Sequence, residues 1–141
     1  MTKHIPLILL LIPATILYAE DKPVIGAMQE YFDFAEYSEG SITPEQLLSI
    51  DTSDVLFIDT RRQDEYDKGH IPGAVNIEWR KVLAHRDEIP TDKPVVLYCD
   101  TGLLSSKAQF ALRLAGRDNV KVIRGGYLLW KKTQKQNKKT Q

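Results

Sequence analysis

The chain has 141 residues, 43% of them apolar and 27% charged, which suits one globular domain with a single core and excludes a disordered, coiled-coil or repeat protein. The formal charge is balanced, but it is unevenly spread: residues 20–130 carry 13 basic and 19 acidic side chains, a net of −6, while five lysines crowd residues 131–141. An acidic body of this kind argues against nucleic acid as a partner.

The chain opens with Lys3 and His4, followed by "IPLILLLIPATILYA" with no acid before Glu20. A short basic start, an apolar stretch and a small residue at Ala19 describe a signal peptide over 1–19, cleaved after Ala19, and hence a periplasmic or secreted protein with no membrane span after cleavage. The stretch is short for a span, which needs ~20 residues, and holds Pro6 and Pro13. An uncleaved anchor is the alternative. Residues 20–40 form an acidic, aromatic N-terminal extension, and its four rings, Tyr31, Phe32, Phe34 and Tyr37, predict a short helix or strand packed on the domain.

From Ser41 strand and helix signals alternate. "SITPEQLLSI" predicts a short strand and then a helix, with Thr43 and Gln46 in a capping box and Pro44 at the first helical position. "VLFID" predicts a buried strand, "RRQDEYDKG" a short helix ended by Gly69, and "GAVNI" another strand. "EWRKVLAHRDEI" predicts an amphipathic helix with Trp79, Val82 and Leu83 on one side. "PVVLYC" is the next buried strand, and Leu104, Ala108, Ala111, Leu112 and Ala115 recur at helical spacing up to Gly116. "VKVI" predicts the last strand and "GGYLLWKK" the last helix. The basic tail, 131–141, is expected to be a frayed, solvated end, with contact to an anionic surface as the alternative.

This alternation predicts an α/β domain over 41–130 whose parallel sheet is covered by helices on both faces. Ligands of such sheets bind beyond the carboxyl ends of the strands. That points to Asp59, Thr60 and Arg61, to Cys99 and its loop, and to Arg124, Gly125 and Gly126.

Cys99 is the single cysteine, so no intramolecular disulfide is available. It is either an inert core residue or a thiol with a use. Its place between a strand and a helix favours use: the amides of Asp100, Thr101, Gly102, Leu103, Leu104 and Ser105 can curl around the sulfur, and a helix start favours a thiolate. A solvent-accessible thiol is expected. Only His70 and His85 remain in a processed chain, so neither a metal cluster nor a histidine-based triad is supported.

"VLFIDTRRQDEYDKGHIPGAVNI", "VVLYCDTGLLSSKAQFALRLAG" and "VIRGGYLLW" together resemble a single-domain rhodanese of the exported type. The resemblance implies a five-stranded parallel sheet between helices and a sulfurtransferase whose Cys99 carries sulfur as a persulfide. It implies a small donor such as thiosulfate, a thiol or cyanide acceptor or a protein sulfur acceptor, and no metal or organic cofactor. A non-catalytic binding or sulfur-relay module is the alternative. Asp59, Glu65, His70 and Gly73 fall on the family's structural motif; Asp59 and Arg61 read as a structural pair and His70 as a turn residue making a hydrogen bond. One departure matters. The loop position where many relatives carry arginine is Leu104, and Asp100 adds a negative charge. Arg61 and Arg124 are then the expected replacement cations for an anionic substrate.

Overall fold

The computed structural model describes residues 21–37 and 39–140. The expected signal peptide lies outside the described residues. The chain divides into two compact units that meet after Ala35.

In the first unit, α1 spans Asp21–Phe34. The expectation of a short helix or strand resolves to a helix. Within it Phe32 is 63% and Phe34 80% exposed, and Phe32 makes an edge-on contact with Tyr31 at 5.8 Å. Tyr37, at the start of the second unit, is fully exposed.

The second unit is a five-stranded parallel sheet in the order β1-β5-β4-β2-β3, with β1 at Ser41–Ile42, β2 at Leu56–Asp59, β3 at Val75–Asn76, β4 at Val95–Tyr98 and β5 at Val120–Ile123. This is the architecture expected from the alternating pattern. Successive side chains of a strand face opposite sides, and β4 shows both sides filled. Val95 and Leu97 join Ile58, Val82, Ala108 and Leu112 in one core cluster; Val96 and Tyr98 join Leu47, Phe57, Ile71 and Tyr127 in the other. The first lies under α4 (Leu103–Leu114), the second under α2 (Pro44–Leu48) and α5 (Gly126–Thr140).

Local signals are met at several ends. Thr43 Oγ1 accepts from the Gln46 amide at 3.2 Å while the Gln46 side chain accepts from the Thr43 amide at 2.8 Å, so the capping box closes, and Pro44 begins the helix. A short helix, α3, covers Gln63–Asp67, and Gly69 follows it.

Two expectations fail. The stretch 78–89 is not an α-helix but a run of turns ending in a 3-10 turn at Arg86–Glu88. Its first residues are drawn into the sheet edge: the Ile77 amide donates to Asp59 O and the Trp79 amide to Thr60 O, both at 3.0 Å. The remaining bonds mostly close over three residues, as from Lys81 to Glu78 and from Glu88 to His85. Val82 is still buried and Trp79 packs on the core, but Leu83 is exposed. The basic end does not fray; it continues α5 as helix to Thr140, held by Thr133 Oγ1, which donates to Glu45 Oε1 at 3.2 Å.

α5 begins hard against the loop after β4. The Tyr127 amide donates to Cys99 O at 2.8 Å and the Leu128 amide to Asp100 O at 3.1 Å. Gly126 allows this approach, because it has φ +62° and a Cβ there would collide with the carbonyl of Cys99 and the Asp100 peptide. Gly73 also has positive φ, +79°, but open space where its Cβ would stand. Gly73→Ala should therefore cost only the left-handed strain, about 1–2 kcal/mol, whereas Gly126→Ala adds overpacking for roughly 3 kcal/mol or more. Urea unfolding of the two variants checks this; equal losses would mean that the α5 approach is not tight.

Candidate functional site

The parallel register sets the site. Asp59 at the end of β2 pairs with Tyr98 at the end of β4, so Thr60 and Cys99 emerge side by side at the carboxyl edge. The Thr60 amide and hydroxyl both donate to Tyr98 O, at 2.8 and 2.9 Å. Burial pushes the pKa of the Tyr98 phenol well above its ordinary value, so it remains a neutral hydroxyl, and its oxygen accepts from the Ile71 amide at 3.0 Å.

Arg61 turns back from this edge into the protein. It is buried, and its Nε and Nη2 donate to both carboxylate oxygens of Asp59 at 2.6–3.1 Å. Nη2 also donates to Gly69 O at 2.7 Å, Nη1 donates to Asp100 Oδ1 at 3.2 Å, and the guanidinium lies 4.3 Å from the Tyr127 ring centre. Burial opposes its charge, but hydrogen bonding and attraction to Asp59, and then to Asp100, outweigh that and raise its pKa further. The structural pairing read from Asp59 and Arg61 is thus present.

Cys99 is 3% exposed, which corrects the expectation of a solvent-accessible thiol. It forms the floor of a groove of about 740 Å³, whose walls include Thr60, Arg61, Asp100, Thr101, Leu103 and Leu104. Ser105 Oγ lies 3.7 Å from the sulfur and donates to Gly102 O at 3.0 Å. A serine hydroxyl has one proton, so a rotation of Ser105 offers it to a thiolate. Leu103, Leu104 and Ser105 open α4, and their amides have no acceptor within the helix. Gly102, at φ +95°, makes the turn into α4, where a Cβ would come within 3.3 Å of Ile123 O.

The replacement cations are not where an anion would need them. Arg61 is committed to Asp59 and Asp100, so Asp100 is itself charge-paired rather than an uncompensated negative charge. Arg124 donates to Ser41 Oγ at 3.1 Å and lines a second groove beyond Thr101, Gly102 and Leu103, not the one that holds Cys99. The other motif residues support the rim. Glu65 pairs with Lys68 at 2.9 Å and lines the groove; His70 stacks on Tyr66 at 3.8 Å, with Nδ1 3.0 Å from Tyr66 O. Among the described residues no cluster of candidate metal ligands occurs.

Sequence reasoning missed Arg62, Glu78, Trp79 and Arg80, which also line the groove. Arg62 pairs with Asp64 at 3.1 Å and Arg80 with Glu78 at 3.0 Å. The signal was available: residues 78–80 follow β3, and the rule that singled out residues after the other strands applies to them too.

The family model for the rhodanese-like domain matches residues 43–133. The chain belongs to the rhodanese-like family. Within it, a sulfurtransferase of Allochromatium vinosum is 38% identical over 80 residues, 57% of this chain and 75% of that one. The uncharacterized protein YqhL of Bacillus subtilis is 40% identical over 73 residues, 52% of this chain but only 58% of that one, so the match spans little more than half of that relative. The human single-domain sulfurtransferase TSTD1 has the same fold, with a TM-score of 0.61 at 19% identity over 66% of this chain and 96% of that one.

In this rhodanese-like domain the Arg61 contacts should carry much of the local stability. Arg61→Lys cannot reproduce the two-pronged contact and leaves buried Asp59 under-paired, at a cost of about 3 kcal/mol. Asp100→Asn removes only the half-exposed end of the network and should cost less than about 1 kcal/mol. Urea midpoints measure both; comparable losses would show that Asp59 is not the anchor.

Proposed function

We propose that the chain is a sulfurtransferase that carries sulfane sulfur on Cys99 as a persulfide. The single observation behind this reading is the position of the only cysteine, at the floor of a groove on the carboxyl edge of the sheet, with the Ser105 hydroxyl 3.7 Å from its sulfur. Family membership and a sulfurtransferase relative support the same reading.

The chemistry needs nothing the chain does not offer. The Cys99 thiolate attacks the outer sulfur of a donor such as thiosulfate. A sulfur–sulfur bond forms, the donor's own sulfur–sulfur bond breaks, and sulfite departs with that electron pair. The α4 amides and the Ser105 hydroxyl stabilise the thiolate and the terminal persulfide sulfur. A cyanide, thiol or protein-borne thiolate acceptor then attacks the terminal sulfur, and Cys99 leaves as thiolate. A second cysteine nearby would discharge the persulfide as a disulfide, and the chain has none. Asp100, Thr101, Gly102, Leu103 and Leu104 contact the donor in this reading.

Charge sets which donor fits. Every arginine of the groove is paired: Arg61 with Asp59 and Asp100, Arg62 with Asp64, Arg80 with Glu78. Leu103, 66% exposed, stands with Leu104 and Trp79 as an apolar wall. A small dianion gains little from such a lining. A larger thiol-bearing donor with charges of both signs and some apolar surface gains more.

Cys99→Ser should abolish formation of cyanide-reactive sulfur after incubation with thiosulfate, and the parent should gain the mass of one sulfur atom that cyanide removes. A parent that takes up no such sulfur from thiosulfate or from a thiol persulfide would leave a binding module as the reading.

Asp100→Asn with Leu104→Arg should lower the KM for thiosulfate, with a smaller change in kcat. A new charge ~6 Å from the anion at an effective dielectric near 20 contributes roughly 2–3 kcal/mol, at least about tenfold in apparent affinity. The gain should fade with added salt. No gain at low salt would mean that loop charge does not set donor choice.

We also propose that the protein is exported and cleaved after Ala19, giving a periplasmic or secreted enzyme. Intact mass of the protein from its native cell tests this, and retention of residues 1–19 overturns it.

A further inference from the structure

Helix α5 carries five lysines and no acidic residue. At about 100° per residue, Lys131, Lys132, Lys135, Lys138 and Lys139 fall within about a third of its circumference. Of its buried residues, Gly126 and Thr133 lie on the opposite side, and Tyr127 lies at one edge of the stripe. Leu128, 56% exposed, sits in the middle of the lysine stripe. Leu128, Lys131, Lys132, Lys135 and Lys139 border one shallow groove of about 340 Å³. Lys131 also reaches over the edge of the Tyr127 ring, at 5.5 Å. None of the five lysines joins an ion pair among the described residues.

We propose that this face of α5 docks on an anionic lipid bilayer. A helix interior side held by core contacts leaves the stripe outward, as a surface-lying amphipathic helix requires. The make-up of the face favours lipid over a protein partner. Protein interfaces concentrate arginine and aromatic side chains in desolvated pockets and are depleted in lysine. This face offers no arginine, and the ring beside it, Tyr127, is buried beneath Lys131, so its exposed part is flexible ammonium groups around a leucine. Lysines of this kind reach a plane of headgroups while their stems, and Leu128, rest on acyl chains. The rest of the molecule sharpens the fit. Residues 36–130 of the same unit carry 12 basic and 15 acidic side chains, so the positive helix belongs to a body of the opposite sign.

The full chain should be sedimented with vesicles of equal parts phosphatidylglycerol and phosphatidylcholine, and with phosphatidylcholine alone. Each lysine near an anionic surface multiplies partitioning about fivefold, so replacing all five by Gln should weaken binding to the mixed vesicles by about a hundredfold or more. Binding to phosphatidylcholine alone reports contacts that need no charge, the apolar start of any unprocessed chain included, and should not change. Arginine at the five positions should keep the binding, which separates charge from misfolding. Added salt should reduce binding to the mixed vesicles only. The proposal is overturned if the glutamine variant binds mixed vesicles like the parent, if the parent does not prefer them over phosphatidylcholine, or if the arginine variant loses binding.

Discussion

A buried guanidinium must be paired on all sides, and Arg61 imposes that requirement on four segments at once. Asp59 at the end of β2, the Gly69 carbonyl after α3, Asp100 beside the cysteine and the Tyr127 ring of α5 all converge on it. Leaving Asp59 out would strand a charge in a low-dielectric interior, while Asp100, half exposed, closes the outer end. The loop that carries Cys99 is therefore positioned from outside itself, by an arginine 38 residues earlier in the chain.

The same pairing decides the electrostatics of the groove. A cysteine at a strand end, with a free arginine beside it, would make an anion trap. Here Arg61 is committed to Asp59 and Asp100, and the rim arginines Arg62 and Arg80 each hold a carboxylate. What remains to stabilise negative charge on sulfur is neutral: a serine hydroxyl and the first amides of α4. Dipoles of this kind favour a thiolate or persulfide over short range without attracting anions from a distance. In the proposed reaction, sulfur carriage and selectivity for small dianions are thus separable.

The sheet and its partners α2 and α5 form a second constraint. The Cys99 and Asp100 carbonyls accept from the first amides of α5, and only a glycine at 126 lets the backbones meet. One end of α5 is thereby fixed to the cysteine loop, while its outer face carries the lysines. The helix thus meets the site at its start and carries a basic stripe along its length, with Tyr127 between Arg61 and Lys131.

Much of this was legible in the sequence because it depends on local pattern. Apolar runs at Leu56–Asp59, Val95–Tyr98 and Val120–Ile123, the Thr43–Gln46 cap and the placement of Cys99 after a strand all follow from periodicity and end signals, and so does the parallel sheet. Three things were decided only by the tertiary structure. The amides of Ile77 and Trp79 bond to the end of β2, so a helical pattern over 78–89 becomes turns. The charge of Asp100 is met by Arg61, a pairing that sequence distance hides, and Arg124 is turned away to another groove. The lysine-rich end remains helical because its inner side packs on the domain through Tyr127, Trp130 and Thr133. Local pattern determines which segments can become strands and helices. Which charge meets which, and which face is left to solvent, depends on contacts between segments far apart in the chain.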